Sequence, residues 1–359
     1  MIVISAKAGY IDISKKRTDV KGYGDMITLD KDELYPLLFE PAYKQVLWGG
    51  HRLAEKFGRP LPQDGPPVGE AWEICDRPEF ESPVVNGPLK GVSLHELVMT
   101  FGRNFVGRSF RGGRFPILVK LLDAEKRVSL QVHPNEAACR EIGGNAEPKT
   151  EMWYILDAAE GAKIIAGLHP KSSRMRFMEN LNSPDIEAQL QVFDSFPGDS
   201  YFIAAGRVHA IGAGNLLLEI QQNSDTTYRL SDWGRVGPDG KPRELHVEKA
   251  LKCIDFMDRT VPRITGPSDQ VNHNRKFPLL NRCPFFQVDE LLLSTDWHDS
   301  TVSTGSFQLF TAVNAPFSIG RGNRTEQVAE GSTVLLPACF GNYTINPGSA
   351  QTTIIRTTL

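Results

Sequence analysis

The stretch SLQVHP, Ser129 to Pro134, has residue types and spacing that could hold a metal ion. Alternate residues of a strand share a face, so Gln131 and His133 point one way while the apolar Leu130 and Val132 point the other. Further along, KTEMWYIL sets Lys149 and Glu151 on one face of a strand carried by Trp153, Tyr154 and Ile155. The segment GDSYFIAAGRVHAIGAG then brings His209 out of a third strand, just past a glycine. Two imidazoles, one carboxylate and one amide oxygen suit zinc or another borderline divalent metal, with room left for water or substrate. Convergence of Gln131, His133, Glu151 and His209 on one ion is the expectation from which a functional reading grows.

Such a site needs strands to carry it. Between Phe115 and Gly167 the runs FPILVKLLD, VSLQVHP, EMWYIL and AKIIAGL are short, aliphatic and separated by turn formers, which predicts strands. SSRMRFMENLNSPDIEAQL interrupts them, and Ser183 before Pro184 predicts an N-cap and first turn of inserted helix. Strands resume with GDSYFIAA, VHAIG and NLLLEIQQ, and HVEKALKCIDF reads as a closing helix. Earlier, Ser93 with Glu96 three residues on forms a capping box and predicts a short helix within Val92 to Gly102. From about Pro267 a second series begins: FFQVDELLL, FQLFTAV, EGSTVLLPA and QTTIIRTT. The chain is therefore mainly β with inserted helices, and such strands avoid free edges by closing into barrels or jelly rolls.

Composition narrows the function class. The 359 residues exceed one typical domain. Forty basic side chains against 43 acidic ones, a net charge of -3, supply no handle for a polyanion, so no nucleic-acid partner is expected. The N-terminus reaches Lys7 and Asp12 too soon for a signal peptide, and no run is long enough to span a membrane. A cytoplasmic protein without membrane association is the expectation. Five scattered cysteines with no C-x-x-C pair argue for reduced, mostly buried thiols.

Gln-x-His, a later Glu, and a His following Gly198 as G-x5-A-x-G-x2-H resemble the metal motifs of cupin barrels, with Ala204 where many cupins have proline. More narrowly, FPILVKLLDAEKRVSLQVHP, KTEMWY, GDSYFIAAGRVHAIG and QQNSDTTYRLSDWGR resemble the type I mannose-6-phosphate isomerases in their short bacterial form. The likeness runs from about Leu38 onward and is dense between Phe115 and Arg235. It implies one zinc ion per chain, held by Gln131, His133, Glu151 and His209. It also implies an arginine at the reacting sugar, Arg229, four residues after Asp225 in the S-D-x-x-x-R segment, and a lysine beside the ligand glutamate, Lys149. Ser129 and Lys120 fall where the family meets the substrate phosphate, and Asp225 is a further substrate-binding residue. Many members read K-P-E where this chain reads K-T-E, with Pro148 one place early. The implied layout is an N-terminal extension or mobile arm over 1–33, a zinc-binding catalytic cupin domain with a helical insertion over 34–266, and a second, metal-free cupin-like domain over 267–359. The implied partner is a phosphosugar, and the implied assembly a monomer or homodimer.

The chemistry accounts for these residue types. Interconverting an aldose and a ketose phosphate moves a proton between adjacent carbons through an enediol, whose oxygen becomes negative as the C–H bond breaks. Zinc polarises such an oxygen without changing redox state. Arg229 can donate to the same oxygens where water is excluded. Lys149 can bind the anionic oxygen or, if desolvated, transfer a proton, and either Asp225 or a water on the metal can act as base. Two other readings share the ligand set: a metal-dependent cupin oxygenase, which has no use for Lys149 and Arg229, and a non-catalytic sugar-phosphate-binding cupin. The remaining histidines, His51, His95, His169, His246, His273 and His298, read as structural. Glu70 and Glu73 read as local hydrogen-bonding groups, and Trp48, Gly49 and Gly50 as either pocket lining or a packed turn. GGNAEPKT imitates a phosphate loop, but Pro148 has neither the N–H nor the positive φ that such a loop uses.

Overall fold

The computed structural model describes residues 2–5, 26–62, 64–237, 239–266 and 268–359. Strands dominate, as the short aliphatic runs predict, and the chain divides into two compact units. The first unit consists of 43–72 and 117–265. In it, one antiparallel sheet runs in the order Ser200–Ile203, Glu151–Ala158, Asn215–Gln222, Ile117–Ala124, Val68–Ile74 and Ala42–Gly50. The other runs Leu190–Asp194, Lys163–Leu168, His209–Ile211, Leu130–Val132 and Tyr228–Ser231. The two sheets share a core of Leu122, Trp153, Ile164, Ala166, Ile211 and Leu217, the inner filling of a cupin-type jelly roll.

Period-two alternation divides the faces of the five-stranded sheet. Leu130, Val132, Ile165, Ala210 and Leu230 pack outward on Phe177, Ile186 and Ala250 of the inserted helices Arg174–Asn180, Pro184–Gln189 and Val247–Cys253. Ile164, Ala166 and Ile211 face inward with Gln131 and His209 between them in register. The helices thus cover one face of the sheet and leave the other for the polar side chains.

Gly49 marks a close approach between neighbouring strands. A Cβ there would stand 2.5 Å from Gly69 N and Val68 C, which are backbone atoms with nowhere to go. We expect Gly49→Ala to destabilise the protein by about 1–3 kcal/mol, read as a lowered Tm in thermal unfolding. Gly50 faces the Asp123 carboxylate, which accepts hydrogen bonds from Arg52 N and Nε, both at 2.8 Å. The glycine pair is therefore the packed end of the strand Ala42–Gly50, not the turn the sequence suggested. Trp48, just before it, belongs to the inner core.

The second unit joins 1–42, 73–116 and 266–359. A seven-stranded sheet (Asp269–Val271, Asn274–Leu280, Gln287–Leu293, Thr352–Thr358, Gln308–Ala312, Thr333–Leu336, Leu37–Leu38) and a four-stranded one enclose Leu291, Trp297, Phe310, Phe317, Ile345 and Ile354. The capping box of Ser93 and Glu96 starts the helix Leu94–Phe101 as predicted. The expected linear division at 34 and 267 is corrected here, and the reason is backbone pairing. Leu37 and Leu38 pair with Leu335 and Val334, and Val106 O accepts from Phe307 N at 3.0 Å, so early segments complete the late sheet. Residues 6–25 of the expected extension lie outside the described residues. The rest of it includes an antiparallel pair, Ile2–Ser5 with Met26–Leu29, and a capped turn at Lys31–Glu33. Among the described residues no helix is long and apolar enough to cross a membrane.

Candidate active site

The three strand segments singled out in the sequence meet inside the first unit. Gln131 lies opposite His209 on one side and Arg229 on the other, so all three backbone positions share a face. His133 follows directly after the strand, and Glu151 opens the neighbouring sheet's strand Glu151–Ala158. The Glu151 carboxylate stands between the imidazoles, with Oε2 3.4 Å from His133 Nε2 and Oε1 3.5 Å from His209 Nε2. Gln131 Nε2 lies 3.2 Å from His209 Nε2. Donor atoms of His133, Glu151 and His209 all lie within 4.8 Å of one another, and the three residues are fully buried.

The tautomers follow from the second partner of each ring. His133 Nδ1 donates to Thr226 O at 2.9 Å and His209 Nδ1 donates to Arg207 O at 2.8 Å, because a carbonyl can only accept. Each Nε2 therefore turns its lone pair inward, that of His209 towards the Gln131 amide, the arrangement of a metal-ligating histidine. His133 Nε2 and Glu151 Oε1 find no hydrogen-bond partner among the described residues, and Glu151 Oε2 meets Lys149 Nζ as an ion pair at 3.0 Å. Buried polar atoms are rarely left so. Burial, with Lys149 nearby, depresses His133 to about 3, and burial likewise lowers His209, so both rings are neutral. Burial works against ionisation of Glu151, yet Lys149 and His133 hold it well below the usual carboxylate range. One carboxylate and two neutral imidazoles fit a divalent cation: His133 Nε2 and Glu151 Oε1 are uncommitted among the described residues, His209 Nε2 meets the Gln131 amide, and turning that amide over would let Gln131 complete the set through its oxygen.

Beside this group lies a row of buried charge. Lys149 is held by its N–H to Pro134 O at 3.0 Å and sends Nζ to Glu151 and, at 3.8 Å, to Glu219 Oε1. Glu219 pairs in register with Lys120 on one side and Trp153 on the other. Its Oε1 is 3.7 Å from Lys120 Nζ, and Oε2 accepts from Trp153 Nε1 at 3.0 Å. Lys120 also meets Glu70 at 3.2 Å and the half-exposed Asp225 at 3.8 Å. Glu70 accepts in addition from Trp72 Nε1 at 2.8 Å. Burial pushes Glu219 above the usual carboxylate range, with the neighbouring Glu151 adding to it, whereas Lys120 outweighs burial at Glu70 and holds it low.

Lys149, Lys120 and Asp225 thus lie in one chain of contacts with the His–Glu–His group. Ser129 does too, donating Oγ–H to Gln131 Oε1 at 3.2 Å. Arg229 is placed there by register, but its Nη1 donates to Glu244 O at 2.8 Å, leaving its buried Nε as the donor without a partner. Glu219 escaped the sequence reading; its signal was a single acid inside the apolar run NLLLEIQQ. Glu70 makes the local hydrogen bond expected of it, from Trp72, and is in addition a partner of Lys120. A second acidic group, Asp76, Glu81 and His95, is bridged by Arg114, whose Nη1 lies 2.6 Å from Asp76 Oδ1 and 2.9 Å from Glu81 Oε1, so its charge is already met.

Comparison with known proteins agrees with this geometry. Residues 37–169 match the family described as phosphomannose isomerase type I, catalytic domain. The mannose-6-phosphate isomerase ManA of Bacillus subtilis is 35% identical over 309 residues, covering 86% of this chain and 95% of that protein. A mannose-6-phosphate isomerase of Streptococcus mutans is 37% identical over 253 residues, covering 70% of this chain and 77% of that one. The crystal structure of the mannose 6-phosphate isomerase from Bacillus subtilis superposes with a TM-score of 0.82 at 31% identity, covering 91% of this chain and 100% of that one. With relatives this similar along nearly their whole length, the chain belongs to the type I phosphomannose isomerase family.

Proposed function

We propose that the chain is a zinc-dependent aldose–ketose isomerase that interconverts mannose 6-phosphate and fructose 6-phosphate through an enediol. The observation that carries this reading is the buried His133–Glu151–His209 group, with His133 Nε2 and Glu151 Oε1 unbonded among the described residues, lying directly against Lys149. Its three side chains, with Gln131 as the fourth, would hold one zinc ion. Such an ion, when bound, supplies a Lewis acid for the sugar's carbonyl and hydroxyl oxygens.

The chain's own residues do the rest. Lys149 is anchored between Glu151 and Glu219, where its ammonium can donate to the oxygen that gains charge as the proton leaves carbon. The unpartnered Nε of Arg229 serves the same oxygens, and burial makes that donation worth more than it would be in water. Ser129, Lys120 and Asp225 bind the substrate beside them. The unit of 43–72 and 117–265 carries the metal and the chemistry, and the interleaved unit that includes 266–359 takes no part in holding the metal. The net charge of -3 suits a small-molecule substrate such as a phosphosugar better than a polyanion.

Chelation followed by restoration tests this. Metal-free protein is expected to lose isomerase activity in a coupled assay down to background, and a single equivalent of zinc per chain should restore it. Full turnover by protein shown to be metal-free would refute the reading, as would tight binding of mannose 6-phosphate with no turnover by the zinc-loaded form.

A further inference from the structure

The guanidinium of Arg229 is aimed from outside its own strand. Tyr228–Ser231 ends the five-stranded sheet, paired within it to Leu130–Val132 on one side. On the open side, residues 244–246 stand where a further strand would. His246 N donates to Arg229 O at 2.7 Å, Arg229 N donates to His246 Nδ1 at 3.2 Å, and Arg229 Nη1 donates to Glu244 O at 2.8 Å. Backbone and side chain of Arg229 thus hang on one short segment. The guanidinium is planar, so tying Nη1 to a carbonyl also fixes the direction of Nε, the buried donor without a partner. Where the Glu244 carbonyl sits therefore sets where Arg229 points.

The segment that carries this carbonyl is held in turn by Asp232. After Ser231 the chain leaves the sheet, turns with Arg235 N on Asp232 O at 3.0 Å, and comes back through an antiparallel bridge between Val236 and Pro242. The buried Asp232 carboxylate closes the neck of this excursion. Oδ2 accepts from Arg243 Nε at 2.8 Å, and Oδ1 accepts from Arg243 Nη2 and, at 2.6 Å, from Arg235 Nη2. A two-pronged grip of this kind fixes orientation as well as distance, and Glu244 is the next residue after Arg243. The neck is anchored to the sheet besides: Arg235 Nη1 donates to Arg127 O and Trp233 Nε1 to Val128 O, both at 2.8 Å. Trp233 has a φ of 58°, a backbone conformation that so bulky a residue keeps only where its surroundings impose it. Charge acts in the same sense. Burial lowers the pKa of Arg229 and the neighbouring Arg243 adds to this, while the Asp232 carboxylate works against both.

We propose that Asp232 is a positioning residue for the isomerisation: by gripping Arg243 it fixes the Glu244 carbonyl, which aims Arg229 at the reacting oxygens. This rests on the isomerase reading. The test measures kcat, KM and zinc content of zinc-loaded full chains: wild type, Asp232→Asn, Arg243→Gln, Arg229→Ala and the double variant Asp232→Asn with Arg229→Ala. Misplacing a reacting group by about 1 Å costs about 100-fold in rate, so kcat of Asp232→Asn should fall about 10- to 100-fold. KM should stay within about 3-fold of wild type, because the lost interaction is one made in the transition state. Zinc content should not change. Arg243→Gln should lower kcat in the same way, and it keeps the inference open to test if Asp232→Asn fails to fold. In the Arg229→Ala background, Asp232→Asn should alter kcat by less than about 3-fold, since the group it positions is gone. A merely structural role would cost the same factor in both backgrounds, and that result would overturn the inference. So would wild-type kcat in well-folded Asp232→Asn or, should that variant not fold, in Arg243→Gln. A zinc-loaded wild type without turnover removes the isomerase reading and the role of Asp232 with it, whereas an active wild type confines any failure to Asp232.

Discussion

Glu151→Gln protein is expected to purify without its metal and to turn over about 1,000-fold more slowly or worse. Glu151 brings the only negative charge to a donor set otherwise made of two neutral imidazoles and an amide, and its two oxygens each face one ring at 3.4 and 3.5 Å. An amide there would leave a buried dication uncompensated next to the Lys149 ammonium, an arrangement for which desolvation is not repaid. The fold should survive, because Lys149 keeps Glu219 at 3.8 Å as a counter-charge. Elemental analysis with a coupled isomerase assay checks both halves. A metal-replete, active Glu151→Gln enzyme would mean that the cation, if there is one, sits elsewhere.

Lys149→Met should separate chemistry from metal binding. Proton handling by a positioned side chain is worth about 100- to 10,000-fold in rate, and we expect kcat to fall within that range while zinc content stays at one equivalent. The metal-free variant should also unfold at lower temperature than metal-free wild type. Removing the ammonium leaves Glu151 without its ion-pair partner and Glu219 with Lys120 alone, and breaking a buried pair costs about 3–5 kcal/mol. Zinc should recover most of that stability, since the ion replaces the lost positive charge beside Glu151. Near-normal kcat in a zinc-loaded Lys149→Met enzyme would remove Lys149 from the reaction.

Much of the site was legible before any coordinates, for a physical reason. Strand alternation is a strict geometric rule, so Gln131 and His133 had to share a face, and metal-donor side chains at such positions are conspicuous against Leu130 and Val132. Lys149 was legible through its spacing from Glu151. Glu219 was not, because its partners Lys120 and Trp153 meet it only through strand register, which one chain read alone does not reveal. Glu70 was half legible for the same reason: its local bond from Trp72 lies within three residues of sequence, whereas its pairing with Lys120 depends on the sheet. The helix at Leu94–Phe101 was legible because a capping box is local, written within four residues. The division of the chain was the least legible feature, since Leu37 and Leu38 find their partners at Leu335 and Val334.

That interleaving bears on how the protein is made. A ribosome that has emitted the first 265 residues has already delivered every segment of the site-bearing unit, but 1–42 and 73–116 remain as orphans whose partner strands Gln308–Ala312 and Thr333–Leu336 do not yet exist. Apolar side chains such as Leu37 and Phe105, fully covered in the finished molecule, stay wet during that interval and are open to chaperones or to neighbouring nascent chains. No single scission of the polypeptide would yield two fragments that each own a whole core, so gene truncation at the former boundary near 267 leaves both halves incomplete.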